Sequence, residues 1–215
     1  MPTTNLTLKS LPKWAVLEAL MVAVFASLAW MSEGAAPSKT LENLKTAYLG
    51  EANAHVRYLA FADRAQEAEF GEAASLFRAA ACAEHVQVKN LAAVLRKMGY
   101  EPVIRINTPV VKTTSENLRR SAGGCEPFEC GEMYPAFIEQ AKAEGNEDAV
   151  RAFQFALTGQ KQHTKLFKAA LNNLHKMDMT SPLYYVCNVR GYTSEHPVRP
   201  CPGCSDRHAS YVQVH

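Results

Sequence analysis

Residues 129–135 (ECGEMYP) place two carboxylates, Glu129 and Glu132, three positions apart where an apolar helical pattern begins. Side chains at this spacing lie about 60° apart around an α-helix, so both can face one object. A solvated helix face is one explanation for such a pair. The apolar spacing that continues to Ile138 instead favours a helix within a bundle, where buried carboxylates require a partner or a metal ion.

Composition predicts one principal helical domain with appendages. The chain has 215 residues, of which 47% are hydrophobic, so it can bury a full core. Its 11 glycines and 11 prolines concentrate at the ends and in the connections, as is typical of a helical protein. The formal net charge is only +2, and basic and acidic residues are mixed along the chain, which argues against a nucleic-acid partner.

Four long segments repeat apolar residues at the helical spacing: residues 40–68, 72–98, 127–143 and 146–176. Thr40 and Asn146 are predicted N-caps, and Gly99 is a predicted C-terminal stop. The connection over residues 100–125 holds one short predicted helix near residues 115–121. Two helical hairpins joined by a long crossover predict an all-α, ferritin-like four-helix bundle.

Residues 14–31 form an apolar stretch whose one charge is Glu18, with Trp14 and Trp30 near its two ends. A helix of this length rises about 27 Å, which matches a thin hydrocarbon core. Aromatic ends suit the two membrane interfaces. The stretch therefore predicts a membrane-anchoring helix within an N-terminal segment, residues 1–36.

Two alternatives remain for this stretch. A cleaved signal peptide would end at the small-x-small sequence of residues 27–29, and an apolar helix could instead dock on a partner protein. As an anchor, it would follow Lys9 and Lys13, which favour an inside amino terminus. The sequence thus predicts a membrane-anchored protein with its bundle on the non-cytoplasmic (periplasmic) side, rather than a soluble cytoplasmic one.

The last segment is β-prone and rich in turns, and it carries three of the six cysteines: Cys187, Cys201 and Cys204. This clustering is more typical of a metal knuckle than of a spread disulfide framework. We therefore predict three parts: the N-terminal segment 1–36, a bundle over 37–178 and a small metal-ribbon tail over 179–215.

Side chains able to bind a metal recur on all four predicted helices. Glu51 lies on the first, Glu84 on the second, Glu129 and Glu132 on the third, and His163 on the fourth. Carboxylates with a few imidazoles suit iron or manganese, and ferritin-like bundles carry such ligands on their inward faces.

With these residues in place, the chain resembles the rubrerythrin family from about residue 40 to its end. The resemblance rests on Leu41-Glu42-Asn43-Leu44-Lys45, Gly50-Glu51, Tyr58, Phe77 seven residues before Glu84, Glu129-x-x-Glu132-Met133-Tyr134-Pro135, Phe153, His163 and the cysteine-bearing tail. It implies a diiron site that reduces hydrogen peroxide, a rubredoxin-like tail whose four-cysteine iron site supplies electrons, and a homodimer.

Three positions depart from the pattern that the resemblance implies. Gln87 stands where a histidine is expected, Gln160 where a bridging glutamate is expected, and Arg190 where a tail cysteine is expected. An amide is a weak, neutral ligand, and a guanidinium cannot ligate because it stays protonated. The remaining bundle ligands would hold one or two iron ions: Glu51, Glu84, Glu129, Glu132 and His163.

The tail retains only Cys187, Cys201 and Cys204 of the implied thiols, so a rubredoxin-type iron site should fail. A zinc site completed by His196 or His208 is one alternative. The others are a Cys201–Cys204 disulfide in an exported domain, or free thiols without a metal.

Two functions are consistent with the sequence. Ligand losses in both sites and the apolar amino terminus favour a non-catalytic or weakly redox accessory subunit of a membrane-bound electron-transfer or photosynthetic complex. Its partners would be the membrane, through residues 14–31, and other subunits of that complex. The alternative is an enzyme, a metal-dependent oxidoreductase that reduces hydrogen peroxide or oxygen at a diiron or mononuclear iron site.

Overall fold

The computed structural model describes residues 38–123, 129–202 and 210–215, with the side chain of Glu129 left aside, and all of these belong to one compact unit, Ser38–His215. Its α-helices are α1 (Lys39–Glu67), α2 (Gly71–Lys97), α3 (Thr114–Ala122), α4 (Tyr134–Ala143) and α5 (Glu147–Asn173). A π-helix at Glu129–Met133 precedes α4, and a 3-10 turn at Leu174–Lys176 follows α5. The strands are β1 (Tyr184–Cys187), β2 (Thr193–Ser194) and β3 (Tyr211–Val214).

Side-chain caps set the ends of two long helices. Asn146 caps α5 as predicted, because its side-chain oxygen accepts a hydrogen bond from the backbone N–H of Ala149 at 3.0 Å. At α1 the cap is Ser38 and not the predicted Thr40, and the Ser38 hydroxyl accepts from the backbone N–H of Leu41 at 3.2 Å. The N-cap therefore lies two residues before the predicted position.

The bundle core consists of two apolar clusters. One contains the buried rings of Tyr58, Phe61, Phe77 and Phe167. The other contains Leu44, Leu91, Leu95 and Phe153. Along α1, α2 and α5, the residues between these clusters are polar: Glu51, Glu84, Gln160 and His163. The predicted helical bundle is confirmed, and its apolar core is interrupted by one polar layer.

The tail forms a three-stranded antiparallel sheet in the order β2-β1-β3, and it packs against α2. Gly191 has a φ of +70°, and a Cβ there would lie 2.7 Å from the carbonyl oxygen of Ala83. Asn90 donates from Nδ2 to the carbonyl of Val189 at 2.9 Å. The turn between β1 and β2 therefore fits closely on α2, and glycine permits both the conformation and the approach.

Across residues 38–123, 129–202 and 210–215, no helix is long and apolar enough to cross a membrane. The physical reason is that each long helix carries charged residues at intervals shorter than a bilayer-spanning segment allows. The predicted anchor helix, residues 14–31, and the N-terminal segment 1–36 lie outside the described residues.

Candidate metal centre

Two carboxylates on neighbouring helices face the same amide in the polar layer. Glu51 and Glu84 are 2% and 1% exposed. The amide Nε2 of Gln160 donates to Oε2 of Glu51 at 2.9 Å and to Oε1 of Glu84 at 3.3 Å. The other oxygen of Glu51 accepts a hydrogen bond from the hydroxyl of Tyr134. Gln160 therefore lies between the carboxylates, where the resemblance implies a metal-bridging glutamate.

His163 completes this layer from α5. It is 2% exposed, and its Nδ1 lies 3.2 Å from Oε1 of Glu84. Its Nε2 lies 3.2 Å from Oγ1 of Thr193 in the tail. Burial lowers the pKa of His163 to about 4, so the imidazole is neutral near pH 7 and keeps one nitrogen with a lone pair.

The electrostatics of the layer favour a bound cation. Burial, followed by the nearby Glu84 carboxylate, raises the pKa of Glu51 well above its ordinary value. Two ionised carboxylates in this position would repel each other at low dielectric, and a divalent ion would relieve that repulsion. Two oxygen donors and a neutral imidazole are a donor set that iron accepts. Glu51, Glu84 and His163 therefore fit an iron ion by donor type.

The layer is not a closed ligand shell. Within the described part of the chain, no three His, Cys, Asp or Glu side chains converge into a group that could by itself hold a metal ion. Glu132 is exposed, and it lies in the π-helix rather than in an α-helix. The side chain of Glu129 is outside the described part. The predicted 60° separation of Glu129 and Glu132 applies to an α-helix. A π-helix has more residues per turn, so the angle between the two positions differs. The five bundle ligands thus stay a prediction.

The amide nitrogen of Gln87 is held by backbone carbonyls, and its buried Oε1 has no hydrogen-bond partner among the described residues. Its Nε2 donates to the carbonyl of Arg190 at 2.6 Å and to the carbonyl of Phe155 at 3.3 Å. A Cβ at Gly159 would lie 3.0 Å from that nitrogen, and a Cβ at Gly191 would lie 3.1 Å from it. The two glycines therefore make room for the amide. Gln87 connects the bundle to the tail, at the position where the resemblance implies a histidine ligand.

The tail does not fit a four-cysteine iron site. Cys187 and Cys201 are both buried, and burial raises the pKa of Cys187 to about 12. The guanidinium carbon of Arg190 lies 3.5 Å from the ring centroid of Phe155, so this side chain packs on the bundle. Cys204 and His208 lie outside the described residues, and the zinc, disulfide and free-thiol alternatives stay predictions.

A cavity of about 370 Å³ reaches the polar layer from the surface. Glu51, Tyr134 and Gln160 line its inner part, and the exposed residues Thr46 and Asn107 also line it. Its walls are largely polar side chains, which suits entry of a small, polar molecule. The tail lies against the layer through Thr193.

The bundle and its buried carboxylates define a class of protein, the ferritin-like bundles that carry acidic residues in their cores. Within that class, the chain belongs to the Rubrerythrin family, whose family model matches residues 42–171. It is similar to nigerythrin of Nitratidesulfovibrio vulgaris, with 36% identity over 79% of this chain and 83% of that protein. It is also similar to Rubrerythrin-2 of Clostridium acetobutylicum, with 32% identity over 77% and 91% of the two chains.

Solved structures agree with this assignment. Nigerythrin in its fully reduced, all-ferrous state has a TM-score of 0.73 and 33% identity, covering 84% of this chain and 90% of that chain. A bacterioferritin of Desulfovibrio desulfuricans, with 20% identity and a TM-score of 0.60, shares the fold alone. The rubrerythrin resemblance and iron as the cofactor are confirmed, while the number of ions stays a prediction.

These relatives correct two predictions from the sequence. The favoured function, a non-catalytic accessory subunit of a membrane-bound complex, is wrong, because the chain matches nigerythrin and rubrerythrins over more than three quarters of its length. The prediction of a membrane-anchored protein with a periplasmic bundle is wrong for the same reason, and the described helices contain no spanning segment. Both predictions gave the apolar stretch at residues 14–31 more weight than the bundle.

Three residues of the layer were absent from the predicted set. Tyr134 was recognised only as part of the family pattern, although its hydroxyl contacts Glu51. Gln160 was read as a lost ligand, although its amide joins both carboxylates. Thr193 carried no signal, because it reaches His163 only through the folding of the tail onto the bundle.

Proposed function

We propose that this protein is an iron-dependent oxidoreductase that reduces hydrogen peroxide at the polar layer of the bundle. One observation carries the proposal: two buried carboxylates, Glu51 and Glu84, accept hydrogen bonds from the same amide, that of Gln160. The neutral imidazole of His163 lies beside them and contacts Glu84. Iron, when bound there, would supply one electron from each ion as it passes from the ferrous to the ferric state, so the reduction of one peroxide would use two ions, or one ion that an external donor reduces again.

Glu51, Glu84 and His163 would supply part of the iron ligands, and the predicted ligands Glu129 and Glu132 would supply further ones. The two buried carboxylates would bind the metal with oxygens that now accept hydrogen bonds from the Gln160 amide. Gln87 is not counted among these ligands: its Nε2 is engaged with two backbone carbonyls, and its buried Oε1, which has no hydrogen-bond partner among the described residues, is a neutral and weak metal donor. Family membership and the all-ferrous nigerythrin relative support iron over other metals.

The surrounding side chains are suited to bind peroxide and to supply protons. Reduction of one peroxide molecule consumes two electrons and two protons and forms two water molecules. Tyr134 donates its hydroxyl proton toward Glu51, and both residues line the cavity of about 370 Å³ that opens to the surface. A proton can therefore pass from the tyrosine–carboxyl pair to an oxygen atom bound in the cavity.

The electrons must come from an external one-electron donor. A four-cysteine iron site in the tail would need a thiolate at position 190, where the chain has an arginine packed on Phe155. An external redox protein or a chemical reductant would therefore restore the ferrous state after each turnover.

Peroxide consumption by the iron-loaded full chain, with a chemical reductant in excess, tests this proposal. We expect turnover in the wild type and turnover at the iron-free level in Glu84→Gln, since that change removes a charged donor from the layer. Glu139→Gln, an exposed change of the same type on α4, is the matched control and should retain activity. Equal peroxide turnover in Glu84→Gln and the wild type would overturn the proposal.

A further inference from the structure

The tail contributes a polar atom to the bundle layer. Thr193, in β2, is fully buried, and its Oγ1 lies 3.2 Å from Nε2 of His163. The same hydroxyl lies 3.4 Å from the carbonyl oxygen of Gly191. The family model matches residues 42–171, so the contact joins His163 within that segment to Thr193 beyond it.

The two contacts of the hydroxyl allow two arrangements of its hydrogen bonds. A hydroxyl has one hydrogen to donate, and the carbonyl of Gly191 can only accept. If Nε2 of His163 carries the imidazole proton, it donates to Thr193, and Thr193 donates in turn to Gly191. With the proton on Nδ1 instead, that nitrogen would donate to Oε1 of Glu84 and Thr193 would donate to Nε2, while the contact with the Gly191 carbonyl would lack a hydrogen. Both arrangements make two hydrogen bonds, and only the first leaves the Nδ1 lone pair available to a metal ion.

Thr193 is held firmly in this position. It pairs with Val186 across the β1–β2 ladder, and its carbonyl accepts a hydrogen bond from Nε2 of Gln162 at 3.2 Å. Gln162 lies one residue before His163 on α5. Two adjacent residues of α5 therefore contact Thr193 of β2.

We propose that Thr193 is a positioning residue for His163, and that in the metal-bound site it holds the imidazole with its proton on Nε2 and its Nδ1 lone pair on the side of Glu84. The proposal rests on the proposed function, since Nδ1 would be the iron ligand. A hydrogen-bond partner on the second ring nitrogen orients a metal-binding histidine and raises its affinity for the metal. The tail would then contribute to the bundle site through its fold.

Anaerobic titration of the full chain with Fe(II) tests this role. We expect Thr193→Val, which keeps the shape and removes the hydroxyl, to bind Fe(II) about 10- to 100-fold more weakly than the wild type. Thr193→Ser restores a hydroxyl and should bind nearly as tightly as the wild type. Thr158→Val, on the exposed face of α5, is the matched control and should leave the affinity unchanged. Wild-type affinity in Thr193→Val would overturn the proposal.

A second measurement separates this proposal from the iron site itself. Nitrogen-15 NMR of the full chain loaded with the diamagnetic ion Zn(II) reports which ring nitrogen of His163 carries the proton, and we expect Nε2 in the wild type and in Thr193→Ser. A proton on Nδ1 of the wild type would overturn the role of Thr193, whether or not Thr193→Val folds. An Nε2 proton in a wild type that fails to bind Fe(II) would contradict the iron site and leave the positioning role standing.

Discussion

At the residue scale, the polar layer is built from one amide and two carboxylates. Gln160 donates to Glu51 and Glu84 together, so the layer has a neutral donor where a carboxylate would add a third negative charge. This substitution lowers the electrostatic cost of the metal-free protein, because each added buried charge without a partner is costly. The amide therefore stabilises the layer before iron binds.

Replacement of Gln160 by glutamate should expose this cost. We expect Gln160→Glu to lower the free energy of unfolding of the metal-free protein by about 3 kcal/mol near neutral pH, since a third buried carboxylate joins the layer. Iron should restore part of that loss. Chemical denaturation with and without iron measures both effects.

Gln154→Glu is the matched control, because it makes the same change on an exposed face of α5. It should change the free energy of unfolding by less than about 0.5 kcal/mol. Equal stability of Gln160→Glu and Gln154→Glu without iron would contradict the electrostatic account of the layer.

The sequence predicted the donors of the layer better than its contacts. Glu51, Glu84 and His163 were found because each stands on a predicted inward helix face. The bond from Tyr134 to Glu51 and the contact of Thr193 with His163 join residues far apart in the chain, so no spacing rule could indicate them.

At the element scale, helix ends are joined by polar contacts between helices. The Ser38 hydroxyl that caps α1 also donates to Glu144 at the end of α4, at 2.5 Å. The predicted bounds of α1, α2 and α5 agree closely with the structure because apolar spacing and caps are local signals. The π-helix before α4 was missed, because α and π segments share the same apolar residues and differ only in hydrogen-bond register.

The contact between Ser38 and Glu144 predicts a pH dependence. Hydrogen bonds from the Ser38 hydroxyl, and then from Gln140 and Thr40, lower the pKa of Glu144 from 4.5 to about 2. Because the folded-state pKa is depressed, this contribution to stability is fully present above about pH 4.5 and is lost as the pH falls toward about 2.

Glu144→Gln should therefore reduce the loss of folding stability between about pH 4.5 and about pH 2. The reduction should be small, because Glu144 is exposed and solvent screens its interactions. Denaturation curves recorded across the acid range measure it, with Glu139→Gln as the control on α4. A pH dependence unchanged by Glu144→Gln would refute the assignment.

The close fit of the turn between β1 and β2 on α2 predicts that a larger residue at Gly191 will destabilise the tail. Gly191→Ala would place a Cβ 2.7 Å from the carbonyl of Ala83 at a φ of +70°, so the turn should move away from α2. We expect the free energy of unfolding to fall by about 1–3 kcal/mol, and amide exchange in β1 to accelerate.

Gly50→Ala is the control for this substitution, because a Cβ at Gly50 meets no atom within 4 Å and the residue lies inside α1. Alanine there should keep or raise stability. Unchanged exchange in β1 of Gly191→Ala would show that the close approach is not needed for docking of the tail.

At the scale of the whole molecule, the tail packs on the bundle and reaches its polar layer through Thr193. The fold class followed from four amphipathic segments and the resemblance that they carry, and family membership confirms it. The docking of the tail was not predictable, because Gln87 and Arg190 were read as two separate losses. In the structure these positions are in contact, since the Gln87 amide donates to the Arg190 carbonyl.

The central claim is that the polar layer binds iron through Glu51, Glu84 and His163. Elemental analysis of the gently purified full chain, wild type beside Glu84→Gln, tests it most directly. The account predicts stoichiometric iron in the wild type and a large loss of iron from Glu84→Gln, with helical content retained in both. A wild type without iron, or a Glu84→Gln protein that keeps all of it, would contradict the account.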